Sequence, residues 1–277
     1  MELALIPPSS MMYYAGQFKY QMMLPSPQNI NYLQFYLHAG PNHNYYVILD
    51  NGVWENDALT SSQLLAKAWR FKVQEIVLPD VLNNPDETLD RMRKFLKVWD
   101  QFTHIQGQVQ ATWSPTFMAV AHGDTLEKAA RFIDHVADKM PIVKTIAAGR
   151  AFSRACRDDQ ARAKLAMWVA DEFPDRFEFH MLGYNDAWSG EIGSCKGVVR
   201  SLDTCAPFTA AHYGKGMKDI IEHNTPRPPN YFDMKEDDFD LDLLGQNVRR
   251  LRESMRLNQG HQVGLRDVSP TWPPATH

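Results

Sequence analysis

The chain has little that would suit a membrane or an oxidising compartment. No apolar run in its 277 residues approaches the roughly 18 that a bilayer span needs, and no basic segment precedes a long apolar stretch at the amino terminus. The cysteines, Cys156, Cys195 and Cys205, form no CxxC pair and have no nearby histidine at the spacing of a zinc site. We expect no membrane partner, no disulfide framework, no structural zinc and a cytoplasmic location.

The chain also lacks an excess of positive charge. It has 29 basic against 33 acidic residues, a net charge of −4, so no whole-chain field attracts a polyanion and any nucleic-acid contact must be local. The motifs GxGxxG, GxxxxGK[ST] and GxSxG are absent as well. Dinucleotide-binding, P-loop and serine-hydrolase functions therefore have no support.

Short apolar runs alternate with segments of helical periodicity. A run at ELALI and six others rich in β-branched residues predict buried strands. The six are YYVILD (45–50), QEIVLPD (74–80), GQVQAT (107–112), VKTIAAG (143–149), RFEFHML (176–182) and GVVRSLD (197–203). Because successive parallel strands cannot be joined by a tight turn, the alternation favours a parallel sheet with crossover helices.

Two architectures fit this pattern. With a helix around Asn31 to His38 there are seven strand-helix steps and no obvious eighth, which leaves a doubly wound sheet open. We favour a single-domain TIM-type (β/α)8 barrel, because each run has a polar residue or glycine at its carboxyl end, where such barrels place their chemistry. Residues 1–216 would form this catalytic core, 217–242 a proline-rich, acidic surface arm, and 243–277 a closing helix and loose tail of the same domain.

The strand ends carry the candidate functional residues. They are Asp50, Asp80, Gln110, Gly149, Leu182 and Asp203, which a barrel would bring to one mouth. A single aspartate at a strand end is more often a helix cap, but three together favour metal binding or acid, base and nucleophilic work. No specific oxygen-ligand metal spacing is present, so cleavage of a glycosidic bond by two aspartates is the simplest fit. Arg150, Lys215, Lys218 and Arg227 fall in loops where phosphates could be met.

Five segments then stand in a characteristic order: LDNGVWE (49–55), VLPDVL (77–82), QVQ (108–110), FHMLGYND (179–186) and RSLDTCAPF (200–208). In order and spacing they resemble the tRNA-guanine transglycosylase superfamily, and most closely its DNA-guanine transglycosylase branch from bacterial modification systems and phages. The resemblance covers about residues 45 to 216. It implies a pentosyltransferase that exchanges guanine in DNA for a free 7-deazaguanine base of the preQ0 type, with no cofactor and no metal, in the cytoplasm of the cell or, for a phage protein, of the host.

The resemblance also implies roles for individual residues. Asp203, with Pro207 four residues later, matches the nucleophile that forms a covalent glycosyl intermediate, and Asp50 matches the general acid/base. Trp54 and Leu182 would sandwich the base. Asp80 would accept hydrogen bonds from guanine N1 and the exocyclic amine, and Gln110 would donate to O6. The backbone near Gly149 would complete the base edge, and Gly183 belongs to the same binding set.

The chain departs from the tRNA enzymes after the nucleophile. Their CxCxxC and histidine zinc module is absent, and the chain instead continues into RPPNYF and the acidic arm. This departure favours DNA over tRNA as the polymer. A tRNA-directed exchanger, a nucleoside or nucleotide N-glycosidase that uses water as acceptor, and a base-binding module without catalysis stay open as alternatives.

Overall fold

The structure is a computed structural model that describes residues 1–25, 29–42, 44–53, 58–108, 113–184, 191–195, 197–217 and 227–256. Within these ranges, eight strands form a single all-parallel sheet. They are β1 (Glu2–Leu5), β2 (Tyr20–Met23), β3 (Tyr46–Leu49), β4 (Glu75–Val77), β5 (Thr116–Val120), β6 (Val143–Gly149), β7 (Glu178–Leu182) and β8 (Val199–Thr204).

The sheet curls into a nearly closed barrel. Its strand order is β1-β8-β7-β6-β5-β4-β3-β2, and the two end strands, β1 and β2, lie in contact with each other. Helices follow the strands along the chain, as the βα repeat requires. The prediction of a single-domain (β/α)8 barrel is therefore confirmed, and the doubly wound alternative is excluded.

The helices of the described ranges vary in length. They are α1 (Met12–Ala15), α2 (Ile30–Ala39), α3 (Ser61–Phe71), α4 (Pro85–Gln108), α5 (Leu126–Lys139), α6 (Arg150–Cys156), α7 (Ala161–Glu172), α8 (Glu191–Cys195), α9 (Ala206–His212) and α10 (Leu241–Arg256). Local sequence explains their starts: Asn84 accepts a hydrogen bond from the backbone of Glu87 at 3.1 Å, and Thr60 caps α3 together with Gln63. Each of these helices falls short of the length or apolarity that crossing a membrane would take.

The strand missing from the sequence pattern is β2. Its residues, Tyr20–Met23, include no β-branched side chain, so the run carries little of the usual strand signal. Tertiary pairing decides its conformation, because Tyr20 to Met23 pair in register with Tyr46 to Leu49 of β3.

The predicted strand at 107–112 is wrong for its first two residues, and residues 109–112 lie outside the described part of the chain. Gly107 and Gln108 belong to α4, and the chain forms β5 at Thr116–Val120 instead. The apolar face of α4 explains the difference, since Trp99 packs on Phe102, Trp113 and Phe117 with ring centroids 5.2 to 5.9 Å apart. This cluster packs α4, which runs to Gln108, against β5.

Apolar side chains fill two layers. The larger layer lies between barrel and helices and includes Phe95, Phe117 and Phe179. The smaller one fills the barrel interior with Met22, Ile48, Val77, Met118 and other side chains.

The carboxyl-terminal part of the chain packs on the barrel. From the described part of the arm, 227–240, Tyr231 and Met234 are buried, and the Tyr231 hydroxyl donates to the carbonyl of Ile6. The Asn247 amide of α10 accepts from the Met217 backbone at 2.8 Å. The predicted closing helix is present as α10, whereas the predicted loose tail, 257–277, lies outside the described residues.

The buried thiol of Cys195 provides a test of this packing. Burial, and next the negative charge of Glu191, raise the pKa of Cys195 to about 12, so at pH 8 only about one molecule in ten thousand carries the reactive thiolate. We expect Cys195 to stay silent toward a thiol reagent in the native protein and to react on unfolding. In the matched variant Cys195→Ser, the amount of reagent that reacts with the native protein should equal that of the wild type, while the number of thiols that react in denaturant should fall from three to two. A smaller reaction of the native variant would contradict the prediction.

Candidate active site

A cavity of about 440 Å³ lies at the carboxyl ends of the barrel strands. Six of the residues predicted from the sequence line it: Asp50, Asp80, Gly149, Leu182, Gly183 and Asp203. Parallel pairing brings their strands, distant in sequence, to the same edge of the barrel. The structure thus gathers the three acids around one space, while their roles stay predictions.

Two predicted site residues, Gln110 and Trp54, lie outside the described residues. The next described strand along the chain is β5, which is followed by Ala121 and His122. The His122 side chain is buried and lines the cavity. A histidine that sequence analysis missed therefore stands at this point of the barrel mouth.

Asp203 is held by one of its two carboxylate oxygens. Oδ1 accepts hydrogen bonds from the Gly183 backbone N–H at 3.0 Å and from Nε2 of His180 at 3.1 Å. Among the described residues Oδ2 has no hydrogen-bond partner, although Asp203 is only 4% exposed. The carboxylate is thus fixed in orientation through Oδ1, and Asp203 lines the cavity.

Gly183 can donate to Asp203 because of its backbone conformation. Its φ is +65°, in the left-handed region that favours glycine, and a Cβ added there would meet no atom of the described residues within 4 Å. The next residue, Tyr184, donates its N–H to the Asp203 carbonyl at 2.8 Å. The turn after β7 therefore holds both the main chain and the side chain of Asp203.

Asp80 is held by both oxygens. Asn51 donates to Oδ1 at 2.7 Å, and Nε2 of His122 donates to Oδ2 at 2.5 Å. The His122 tautomer follows from its other nitrogen, since Nδ1 accepts from the Asn83 backbone N–H at 3.4 Å. Each oxygen of a carboxylate can accept two hydrogen bonds, so Asp80 retains capacity on both atoms for a planar ligand with adjacent donors.

Asp50 and Asn51 are consecutive residues with separate functions. The Asp50 side chain is half-buried and accepts the Gly52 backbone N–H at 3.2 Å, which leaves it closer to solvent than the other two acids. Asn51 is buried and ties the chain after β3 to that after β4 by a second hydrogen bond, to the Leu78 carbonyl at 2.7 Å. No sequence motif distinguished Asn51, whose role comes from the neighbouring strand.

Arginines add positive charge to the same cavity. Arg150, Arg154 and Arg227 belong to its lining. Burial lowers the pKa of Arg150, and the like charges of Arg154 and Arg162 lower it further.

A buried ion pair supports the cavity wall. Arg162 binds the Glu191 carboxylate through Nε at 2.9 Å and Nη2 at 2.7 Å, and its Nη1 donates to the Leu182 carbonyl at 2.9 Å. The bidentate geometry fixes the guanidinium, which in turn fixes the end of β7. Leu182 consequently presents its side chain to the cavity from an anchored backbone.

The arrangement suits carbon-centred chemistry on a flat, polar base. It offers a clamped carboxylate with one available oxygen, a second carboxylate with adjacent acceptors, a third nearer solvent, and apolar walls from Ile6, Met22 and Val120. Within the described residues no group of three or more His, Cys, Asp or Glu side chains could hold a metal ion.

No family model matches the chain, and no curated protein matches it. The fold itself does not identify a reaction, because (β/α)8 barrels support many.

The left-handed turn at Gly183 yields a prediction with an internal control. Gly183→Ala should lower the free energy of unfolding by about 1–2 kcal/mol, the cost of a left-handed residue that has a Cβ. Gly245→Ala lies within α10, where an added Cβ would also meet no atom of the described residues within 4 Å, and it should leave stability unchanged or raise it by about 1 kcal/mol. Urea denaturation of both variants measures the difference, and equal effects would refute the prediction.

Proposed function

We propose that the protein is a DNA-guanine transglycosylase, which replaces guanine in DNA by a 7-deazaguanine base of the preQ0 type. The observation that carries this proposal is the meeting of Asp50, Asp80 and Asp203 around one cavity, each with a different set of hydrogen bonds. Three acids in three environments can perform three tasks.

Asp80 would recognise the base. Guanine presents an N1–H and an exocyclic amine side by side, and the two oxygens of Asp80 can accept both. Asn51 and His122 hold the carboxylate so that its plane does not rotate when the base arrives. A 7-deazaguanine offers the same edge, whereas adenine lacks the N1 donor and would leave a buried acceptor unpaired.

Asp203 would act as the nucleophile. Its Oδ2 attacks C1′ of the nucleotide, the bond from C1′ to N9 breaks, and guanine departs with the electron pair. In the second half the incoming base attacks C1′ through N9, the bond from C1′ to Oδ2 breaks, and Asp203 returns to a carboxylate. No redox partner or external energy source is needed, because one glycosidic bond replaces another.

Asp50 would move the proton in both halves. The departing guanine gains a proton as it leaves, and the incoming base loses one as it attacks. The half-buried position of Asp50 suits this exchange better than the enclosed positions of Asp80 and Asp203.

The polymer would reach the cavity with the target base turned out of the stack, since C1′ of a stacked nucleotide is not accessible. Arg150, Arg154 and Arg227 in the cavity lining would contact the flanking phosphates. This local positive charge accommodates DNA despite the net charge of −4.

Base incorporation tests the function directly. Wild-type protein should incorporate labelled guanine or preQ0 into DNA, and Asp203→Asn should reduce the rate by at least about a thousandfold, because a neutral amide cannot attack C1′. Asp134→Asn, on the exposed face of α5, is the matched control and should behave as wild type. Absence of incorporation by the wild type, or full activity of Asp203→Asn, would overturn the proposal.

Parallel reactions separate the alternatives. Labelling of tRNA but not DNA would identify a tRNA-directed exchanger. Release of free guanine without incorporation would identify an N-glycosidase. Loss of base binding in Asp80→Ala, with no defect in Asp203→Ala beyond binding, would identify a base-binding module.

The arginine contacts predict a charge-specific binding defect. Arg154→Gln should weaken oligonucleotide binding and reduce the slope of log affinity against log salt by about 0.9, the value for one lost phosphate contact. Binding of free guanine should not change. Lys144→Gln, which removes an exposed positive charge near the amino end of β6, is the control. An equal effect of both variants would refute the proposed contact between Arg154 and a phosphate.

A further inference from the structure

A chain of polar side chains runs through the barrel interior beneath Asp203. Arg200 donates from Nε to the Ser201 hydroxyl at 3.1 Å, the Ser201 oxygen lies 2.8 Å from Nδ1 of His180, and Nε2 of His180 lies 3.1 Å from Oδ1 of Asp203. His180 and Ser201 are both fully buried. The nucleophile proposed above is therefore connected to a guanidinium on the opposite side of the histidine.

A β-bulge makes this series of hydrogen bonds possible. Between Phe179 and His180 the β7 strand advances by one residue, while its partners on β8 advance from Val199 to Ser201. The extra residue on β8 allows the consecutive side chains of Arg200 and Ser201 to contact the same interior network, which an unbroken strand would direct to opposite faces.

The Arg200 guanidinium, at one end of this series of hydrogen-bonded side chains, is held in place by several contacts. Arg200 binds Glu75 at 2.6 Å and Glu178 at 2.8 Å, and its Nη1 donates to the Thr145 hydroxyl at 3.1 Å. Its Cζ lies 5.4 Å from the centroids of both the Tyr20 and Tyr46 rings. These contacts fix the orientation in which Arg200 donates a hydrogen bond to Ser201.

The donor and acceptor of every link follow from the arginine. A guanidinium only donates, so Ser201 accepts from it and has its own hydrogen left to donate. Among the described residues Nδ1 of His180 is the acceptor within reach of that hydrogen. Nδ1 then carries no proton, and the proton on Nε2 points at Asp203. The opposite tautomer would place a nitrogen lone pair against the carboxylate.

We propose that His180 is a positioning residue, which the Arg200–Ser201 pair fixes in the Nε2–H tautomer so that it holds Oδ1 of Asp203 and leaves Oδ2 for attack. The catalytic half of this statement rests on the proposed function. His122 fixes Asp80 by the same tautomer, with the Asn83 backbone N–H in the place of the Ser201 hydroxyl.

The tautomer has a consequence for both halves of the exchange. When Oδ2 is bonded to C1′, Oδ1 is an ester carbonyl that still accepts from His180 and Gly183. When that bond breaks, the electron pair returns to Asp203, and the two donors stabilise the charge that reappears. A histidine donor that stays in place therefore supports release of the sugar as well as orientation of the nucleophile.

The tautomer can be measured without any activity. Protein labelled with 15N-histidine is recorded by NMR at about pH 8.5, where an unperturbed imidazole is neutral, and His180 and His122 are assigned by comparison with His180→Gln and His122→Gln. We expect both rings as Nε2–H. Ser201→Ala should remove the hydrogen bond to Nδ1 of His180, shift the 15N signal of that unprotonated nitrogen away from its hydrogen-bonded position, and leave His122 unchanged. An Nδ1–H ring at His180 in the wild type, or no response to Ser201→Ala, would overturn the proposal.

Turnover separates positioning from folding. Ser201→Ala should lower kcat for base exchange about tenfold while the KM for the free base, which Asp80 would bind, stays the same. Ser201→Thr restores the hydroxyl and should recover most of kcat, which a general packing defect would not allow. Unchanged kcat in Ser201→Ala would refute the catalytic half of the proposal. Failure of the wild type to exchange bases would refute the proposed function instead, and the NMR result would still decide the tautomer.

Discussion

Parallel pairing puts the carboxyl end of every strand at one edge of the barrel, and the cavity depends on that constraint. Asp50, Asp80 and Asp203 are separated by long βα units, yet each follows or ends a strand and so reaches the same mouth. Nothing local in the chain requires them to meet. The hydrogen-bonded order of the strands does, and apolar packing inside and outside the barrel fixes that order.

Burial of carboxylates imposes the second constraint. A buried charge is costly unless donors surround it, and the structure meets this cost differently at each acid. Asp80 receives a donor on each oxygen, whereas Asp203 receives both donors on one oxygen. The first arrangement suits an acceptor for a base edge and the second a nucleophile. The distribution of donors, more than the residue type, would distinguish the two proposed tasks.

Sequence patterns predicted the barrel because strand and helix signals repeat with it. They failed where a signal was weak or was outweighed by packing. The β2 strand has no β-branched residue, and Gly107 and Gln108 are helical because α4 continues to Gln108 and packs through an aromatic cluster around Trp99. The predicted roles of Gln110 and Trp54, which the family resemblance implied, stay untested because both residues lie outside the described part of the chain.

The sequence by itself determined the periodic alternation, the helix starts at Thr60 and Asn84, and the presence of acids at or just after three of the strands, because these depend on neighbours in the chain. Only the tertiary structure decided that Asn51 and His122 hold Asp80, and that a bulge in β8 links Arg200 to Asp203 through His180. Those contacts join residues from different strands, and their geometry is set by strand register, which no local pattern encodes.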